Sequence, residues 1–302
     1  MIERRLAPPI RWLIDNPYLL LTLAIFFWST SIIIARSLAD RVPPMMLLSL
    51  RWTGASLILL PLAWGHLKRD WPVVRSDLPL LAMLAITGVV LNNFLLYAGL
   101  HFTTALNAAL VQSISPLFVA LWTLLLFGIP LSLTQTVGVA ISMGGVIVII
   151  LRGDLSAFGQ LTLNIGDVLV LLSLFVFALY SALVGRRKRV HSLSFIASVT
   201  ALSVPMLVPS AMIESYAGFS STFDASTIAA IAYIASLPSA GALLCFNRGV
   251  ELIGPNRAAP FIHLMPVFGS ILAITVLGEQ PMLFHLAGFA LVLAGVFVAS
   301  RA

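Results

Sequence analysis

IGDVLVLLSLFVFALYSALVG, residues 165–185, holds one charge, Asp167 near its start, and runs straight into Arg186-Arg187-Lys188-Arg189. An apolar run of about 20 residues spans the hydrocarbon of a bilayer when helical. Four consecutive bases resist translocation, so they mark the cytoplasmic end of such a span. Together the two features set the fold class, an all-α membrane protein. They also fix a parity: if the N-terminus is cytoplasmic, an even number of spans must end before Arg186.

Working outward, apolar runs bounded by charges, prolines and glycines place upstream spans at about 17–36, 43–64, 78–100, 104–127 and 132–151. Downstream spans fall at about 192–213, 226–247, 255–277 and 282–300. The total is ten transmembrane helices: 1–151 is an N-terminal five-helix unit, 152–164 a connector and 165–302 a C-terminal five-helix unit. Base placement agrees with this count. The inner segments hold Arg4, Arg5, Arg11, Lys68, Arg69, Arg75, Arg186–Arg189, Arg248, Arg257 and Arg301, and the outer ones only Arg36, Arg41 and Arg152. Both termini are therefore expected in the cytoplasm, and the chain in a bacterial inner membrane.

Composition excludes the soluble classes. Hydrophobic residues make up 60% of the chain and charged residues 9%, against roughly a quarter charged in soluble domains. The net charge of +6 is scattered over short loops, so no nucleic-acid partner is expected. A lone Cys245 leaves no disulfide framework or thiolate cluster. The run from Tyr18 to Ala35 exceeds the h-region of a signal peptide, so the first span is expected to be retained.

Sliding the sequence along itself exposes a repeat at an offset of 150 residues, 116 to 266. Gly99 meets Gly249, Ala108-Ala109 meets Ala258-Ala259, and Pro116 meets Pro266. Phe118 meets Phe268, Gly128 meets Gly278, Gly138 meets Gly288, and Gly145-Val146 meets Gly295-Val296. Five spans is an odd number, so the two units enter the membrane from opposite faces and form inverted repeats. Secondary transporters use this construction to exchange outward-open and inward-open states.

These residues resemble the drug/metabolite transporter superfamily, in particular its ten-helix EamA-type members. The likeness rests on Phe27-Trp28-Ser29, Arg51, Tyr97-Ala98-Gly99-Leu100, Pro116-Leu117, Pro266-Val267, Leu277-Gly278-Glu279, Gly288 and Gly295. It covers nearly the whole chain and looks most like bacterial exporters of amino acids, aromatic ones especially. The resemblance implies a basket-like bundle with a central cavity lined by spans 1, 3, 4, 6, 8 and 9, with spans 5 and 10 peripheral. One departure stands out: Gly128 is followed by Ile129, where the family often has glutamate, whereas Glu279 is kept.

Candidate cavity residues follow from polar groups inside apolar spans, because such groups are costly against lipid and face protein or water. In span 3, Asn93, Tyr97 and His101 recur every four residues on one face. Span 4 places Gln112 and Ser115 before Pro116, and span 9 places His263 before Pro266. Each proline removes a backbone donor, which makes Pro116 and Pro266 candidate hinges. Trp28, Tyr180 and Tyr233 add aromatic surface for stacking a substrate. Arg51 lies roughly 12 Å inside span 2, at 1.5 Å per residue. It is either a structural clamp or the anchor of a gate or substrate carboxylate. Spans 5 and 10 carry small residues four apart, Ala140 with Gly144 and Ala290 with Ala294, expected to allow close approach.

No phosphate loop, zinc motif or nucleophile elbow is present, so no enzyme activity, metal or other cofactor is expected. No carboxylate falls at a predicted bilayer centre; Asp15, Asp167, Glu214 and Glu279 sit near span ends. The reading is a transporter exporting amino acids and related metabolites by alternating access, as a monomer or weak homo-oligomer in the lipid bilayer. A multidrug or other metabolite carrier is the alternative, and an intramembrane lipid-modifying enzyme or a membrane scaffold the alternative of another class.

Overall fold

The computed structural model describes residues 15–38, 41–100, 102–103, 111–112, 114–154, 159, 164–277 and 282–301. Expectations that fall on His101, Ala108-Ala109, Gly278 and Glu279 lie outside these residues. The described residues form ten helical segments and no strand. They are α1 Pro17–Ser37, α2 Pro44–Ser76, α3 Leu78–Leu100, α4 Ser115–Phe127 and α5 Leu133–Ile150. The second five are α6 Ile165–Val184, α7 Ser192–Tyr216, α8 Ala225–Ile253, α9 over 255–277 and α10 Leu283–Arg301. Eight are long and apolar enough to cross a membrane unaided. The other two are α4 and α9, the latter broken by a 3-10 stretch at Ala259–His263.

Helix ends follow local chemistry. The first turn of a helix leaves backbone N–H groups without partners, and polar side chains just outside it supply acceptors. Ser132 and Gln135 close a reciprocal capping box on α5, and Asn164 and Asp167 close another on α6. Gly128 ends α4 at φ 67°, a left-handed conformation that suits glycine.

Packing respects an exchange of halves. α1 lies against α8 and α9, and α6 lies against α3 and α4; α2 pairs with α7, and α5 with α10. A shift of 150 residues maps each contact onto another or onto itself. Gly99, Gly138, Gly145, Gly249, Gly288 and Gly295, which helped expose the repeat, stand at points of close approach, whereas Gly128 does not. A Cβ on Gly99 would lie 2.8 Å from the Gly166 carbonyl, and one on Gly249 would lie 2.5 Å from Leu21. Between α5 and α10, Cβ atoms on Gly138, Gly145 and Gly295 would meet backbone of the opposite helix at 2.5–2.7 Å, 2.7 Å and 2.3 Å.

This corrects the expected small-residue contact. Ala140, Ala290 and Ala294 are exposed and Gly144 has nothing within 4 Å of its Cβ position, so these four lie off the seam. Both faces of each helix carry small residues at the same spacing, and only the register with Gly138, Ser142 and Gly145 lets the backbones meet.

Two further features depart from expectation. α2 continues to Ser76 rather than stopping near 64, and at 33 residues is about 50 Å long. Its polar extension persists because the start of α7 docks on it: Asp70 accepts the His191 N–H at 2.9 Å, and the His66 ring stacks on His191 at 3.7 Å. α3 and α8 also each contain a π-helical stretch, Ile86–Val90 and Ala235–Gly241, at equivalent places in the two halves. A π turn displaces a carbonyl from the ordinary ladder. Side chains repair it in both halves: Asn93 Nδ2 donates to Val89 O at 2.7 Å, and Ser239 Oγ to Ile234 O at 2.8 Å.

Candidate functional site

The aromatic candidates converge where α1, α6 and α8 meet. Trp28 makes an edge contact with Phe177 at 5.9 Å between ring centres and a tilted one with Phe246 at 5.2 Å, and Phe177 and Phe246 are 5.6 Å apart. Trp28 and Phe177 are half-buried, whereas Phe246 is fully enclosed. Offset stacks and edge contacts of this kind are favoured by the ring quadrupoles. Phe177 also stacks on Tyr180, which is enclosed rather than open to a cavity. Tyr180 lies flat against the π stretch of α3, filling the space where a Gly88 side chain would be, and its hydroxyl donates to Asn247 Oδ1 at 2.8 Å.

Polar candidates surround this cluster at several levels. Tyr233 is half-buried, and its hydroxyl pairs with Thr30 Oγ1 at 2.9 Å, joining α8 to α1. Asn93 and Tyr97 are both half-buried on α3. The Asn93 amide nitrogen is committed to Val89, which leaves its oxygen as the group able to meet a solute. Gln112 is half-buried, and Ser115 is fully enclosed at the start of α4.

Arg51 is 6% exposed and donates through Nε to Ser239 Oγ at 3.0 Å, the same hydroxyl that repairs the π stretch of α8. No carboxylate among the described residues lies within ion-pair distance of it. Its guanidinium carbon also lies 5.2 Å from the centre of the Trp52 ring.

His263 is 1% exposed, and its Nδ1 lies 2.7 Å from Ser142 Oγ on α5. The prolines sit where helix regularity changes. Pro116 occupies the first turn of α4, after a tight turn at Ile114, and Pro266 follows the 3-10 stretch of α9.

Toward the end of the bundle that carries Arg186–Arg189, the cluster is closed by ion pairs. Glu251 takes Arg187 at 3.1 Å and Arg248 at 3.5 Å, and Arg248 reaches Asp15 at 3.4 Å, tying α8 to the start of α1 and to the α6–α7 connection. Burial pulls the Arg187 guanidinium below its ordinary proton affinity, and Glu251 opposes that pull. The Phe195 ring, 4.4 Å from the guanidinium, covers its face.

This arrangement has known counterparts. The model of the EamA-like transporter family matches residues 16–151 and again 164–301. The chain belongs to the EamA-like transporter family. An uncharacterized transporter of Archaeoglobus fulgidus is 30% identical over 287 residues, 94% of this chain and 97% of that one. A protein of Streptantibioticus cattleyicolor named "Probable terminal-alkyne amino-acid exporter" is 26% identical over 254 residues, 84% of this chain and 83% of that one. A solved crystal structure shares the fold at a TM-score of 0.74 and 19% identity, covering 94% of this chain and 96% of that one.

As an EamA-family protein the chain is a multi-pass membrane transporter of small molecules, not an enzyme. No group of three metal-ligating side chains occurs among the described residues. Two residues in contact with the candidates, Phe246 against Trp28 and Asn247 against Tyr180, were not picked out from the sequence. For Asn247 the repeat carried a signal, because the offset of 150 maps Tyr97, a candidate from the start, onto it; Phe246 maps onto Leu96 and had none.

Proposed function

We propose that this transporter exports amino acids, including those with bulky apolar or aromatic side chains, across a bacterial inner membrane by alternating access. The two five-helix halves are inverted, both termini are cytoplasmic, and Pro116 and Pro266, each in the first turn of its helical stretch, act as hinges. The observation that carries the substrate reading is the Trp28, Phe177 and Phe246 cluster. Flat rings with half-buried hydroxyl and amide neighbours favour a solute with an apolar side chain and a few hydrogen-bonding groups. The amino-acid exporter among the relatives supports the same class.

In this reading Arg51 receives the solute's carboxylate. Its Nε is committed to Ser239, and the rest of a planar guanidinium suits bidentate contact with a carboxylate. Trp28, Asn93, Tyr97 and Tyr233 line the path. Gln112, Ser115, Tyr180 and His263 support it through the helices they hold.

The test is uptake of labelled phenylalanine, leucine and glycine, a nucleoside and a cationic dye into liposomes holding only the purified protein. Phenylalanine and leucine are expected to enter, with Trp28→Ala slowing phenylalanine roughly tenfold, the equivalent of about 1.4 kcal/mol. Uptake of the dye or nucleoside with no amino-acid signal would replace this reading with that of a multidrug or other metabolite carrier.

A further inference from the structure

At about 50 Å, α2 exceeds the roughly 30 Å of bilayer hydrocarbon and even the 40–45 Å that includes both headgroup layers, so its last turns run through one of those layers. One face of the helix keeps a regular spacing there. Leu57, Pro61, Trp64, Lys68, Trp71 and Arg75 recur every three to four residues, which places them on a single stripe, and all six are exposed. The stripe starts apolar at Leu57, turns aromatic at Trp64 and ends basic, with Arg69 exposed beside it. Trp64 and Trp71 are 55% and 50% exposed, and Lys68 Nζ lies 5.0 Å from the centre of the Trp64 ring.

The opposite face is occupied. Ala63 and Val74 are buried, His66 stacks on His191, and Asp70 accepts the His191 N–H. Asp77, just past the helix, accepts the Lys188 N–H at 3.3 Å. Asp70 and Asp77 are the only carboxylates between residues 57 and 77, and both turn to the α6–α7 connection. Among the described residues no carboxylate lies within ion-pair distance of Lys68, Arg69 or Arg75. Three cations without an acid, interleaved with two exposed indoles where the helix leaves the hydrocarbon, fit an anionic lipid surface. Indoles settle at headgroup level, and long basic stems reach the phosphates. Each base near such a surface favours the contact roughly fivefold.

We propose that Trp64, Lys68, Arg69, Trp71 and Arg75 form a docking surface for the headgroups of anionic phospholipids. The surface lies outside the aromatic cluster and stands whether or not the transported solute is an amino acid.

The experiment places a coumarin maleimide on Gly65→Cys in a Cys245→Ala background, because Gly65 adjoins Trp64 and has nothing within 4 Å of its Cβ position. The full-length protein is reconstituted in phosphatidylcholine vesicles holding a small, equal fraction of nitroxide-labelled phosphatidylglycerol or nitroxide-labelled phosphatidylcholine. The labelled phosphatidylglycerol is expected to quench several-fold more strongly, and 0.5 M sodium chloride to reduce that preference. Lys68→Gln/Arg69→Gln/Arg75→Gln should abolish the preference while quenching by labelled phosphatidylcholine stays the same. Equal quenching by the two lipids overturns the proposal, and so does a preference that survives the triple substitution. Quenching by both lipids that falls as protein density in the vesicle rises would mean that a second copy of the chain covers the face, which also overturns it. Should the triple variant fail to fold, Lys68→Glu alone is expected to cut the preference at least twofold; an unchanged preference would count against the surface.

Discussion

Gly88 and Tyr180 illustrate how single residues position the site. A Cβ at Gly88 would lie 2.4–2.7 Å from the Tyr180 ring, which is enclosed and held by Asn247, so the ring cannot swing aside cheaply. Gly88→Ala is expected to cost about 1–3 kcal/mol in denaturant unfolding of the solubilised protein. Tyr180→Phe should cost about 1 kcal/mol, since it removes one hydrogen bond and leaves the packing. Arg51 is tested by chemistry rather than stability. Arg51→Lys keeps the charge but loses the planar fork, so the KM for amino acids should rise roughly tenfold while that for their carboxamides barely moves. An equal change for both would make Arg51 only a clamp on the π stretch. Arg51, Asn93 and Trp28 stand out as candidates in the sequence because polar and aromatic groups inside apolar spans are conspicuous. For His263 the sequence gives the depth of the residue but not the neighbours its face finds, among them Ser142.

Among the elements, the α5–α10 pair rests on backbone contact at glycines. Gly138→Leu or Gly295→Leu should therefore lower the thermal unfolding temperature well beyond Gly144→Leu, whose Cβ position is open. α8 starts from a different kind of support. Asp224 caps it, and its carboxyl is held down to about 2, first by the Thr227 N–H and then by Ser226. A depressed carboxyl stabilises the fold above the usual carboxylate range near 3.8 and loses that contribution as pH falls toward 2. At neutral pH, Asp224→Ala should lower the unfolding temperature, whereas Asp224→Asn should retain most of it. Hydropathy located these helices because each must hide its backbone from lipid. It missed the π stretches, because no composition distinguishes a π turn from an α turn, and it ended α2 too early, because the polar extension is stabilised by docking with α7 and not by its own pattern.

At the scale of the molecule, the proposed alternating access rests on the exchange of halves. Contacts of α1 with α8 and α9 mirror those of α6 with α3 and α4, so a rearrangement open to one half has an equivalent in the other. The repeat was readable because close helix contacts demand glycine at fixed positions, and those glycines stand out against apolar filler. The aromatic cluster was only partly readable. Phe246 looks like any core residue until α8 is seen to cross α1 and α6.

Inversion itself is best tested by two equivalent positions, Trp71 in the α2 extension and Ser221 in the α7–α8 connection, 150 residues apart. In a Cys245→Ala background, Trp71→Cys and Ser221→Cys are probed in intact cells with a membrane-impermeant maleimide. Ser221→Cys is expected to label from outside, whereas Trp71→Cys labels only after the membrane is opened. Labelling of both from the same face would mean parallel halves and would contradict the inversion.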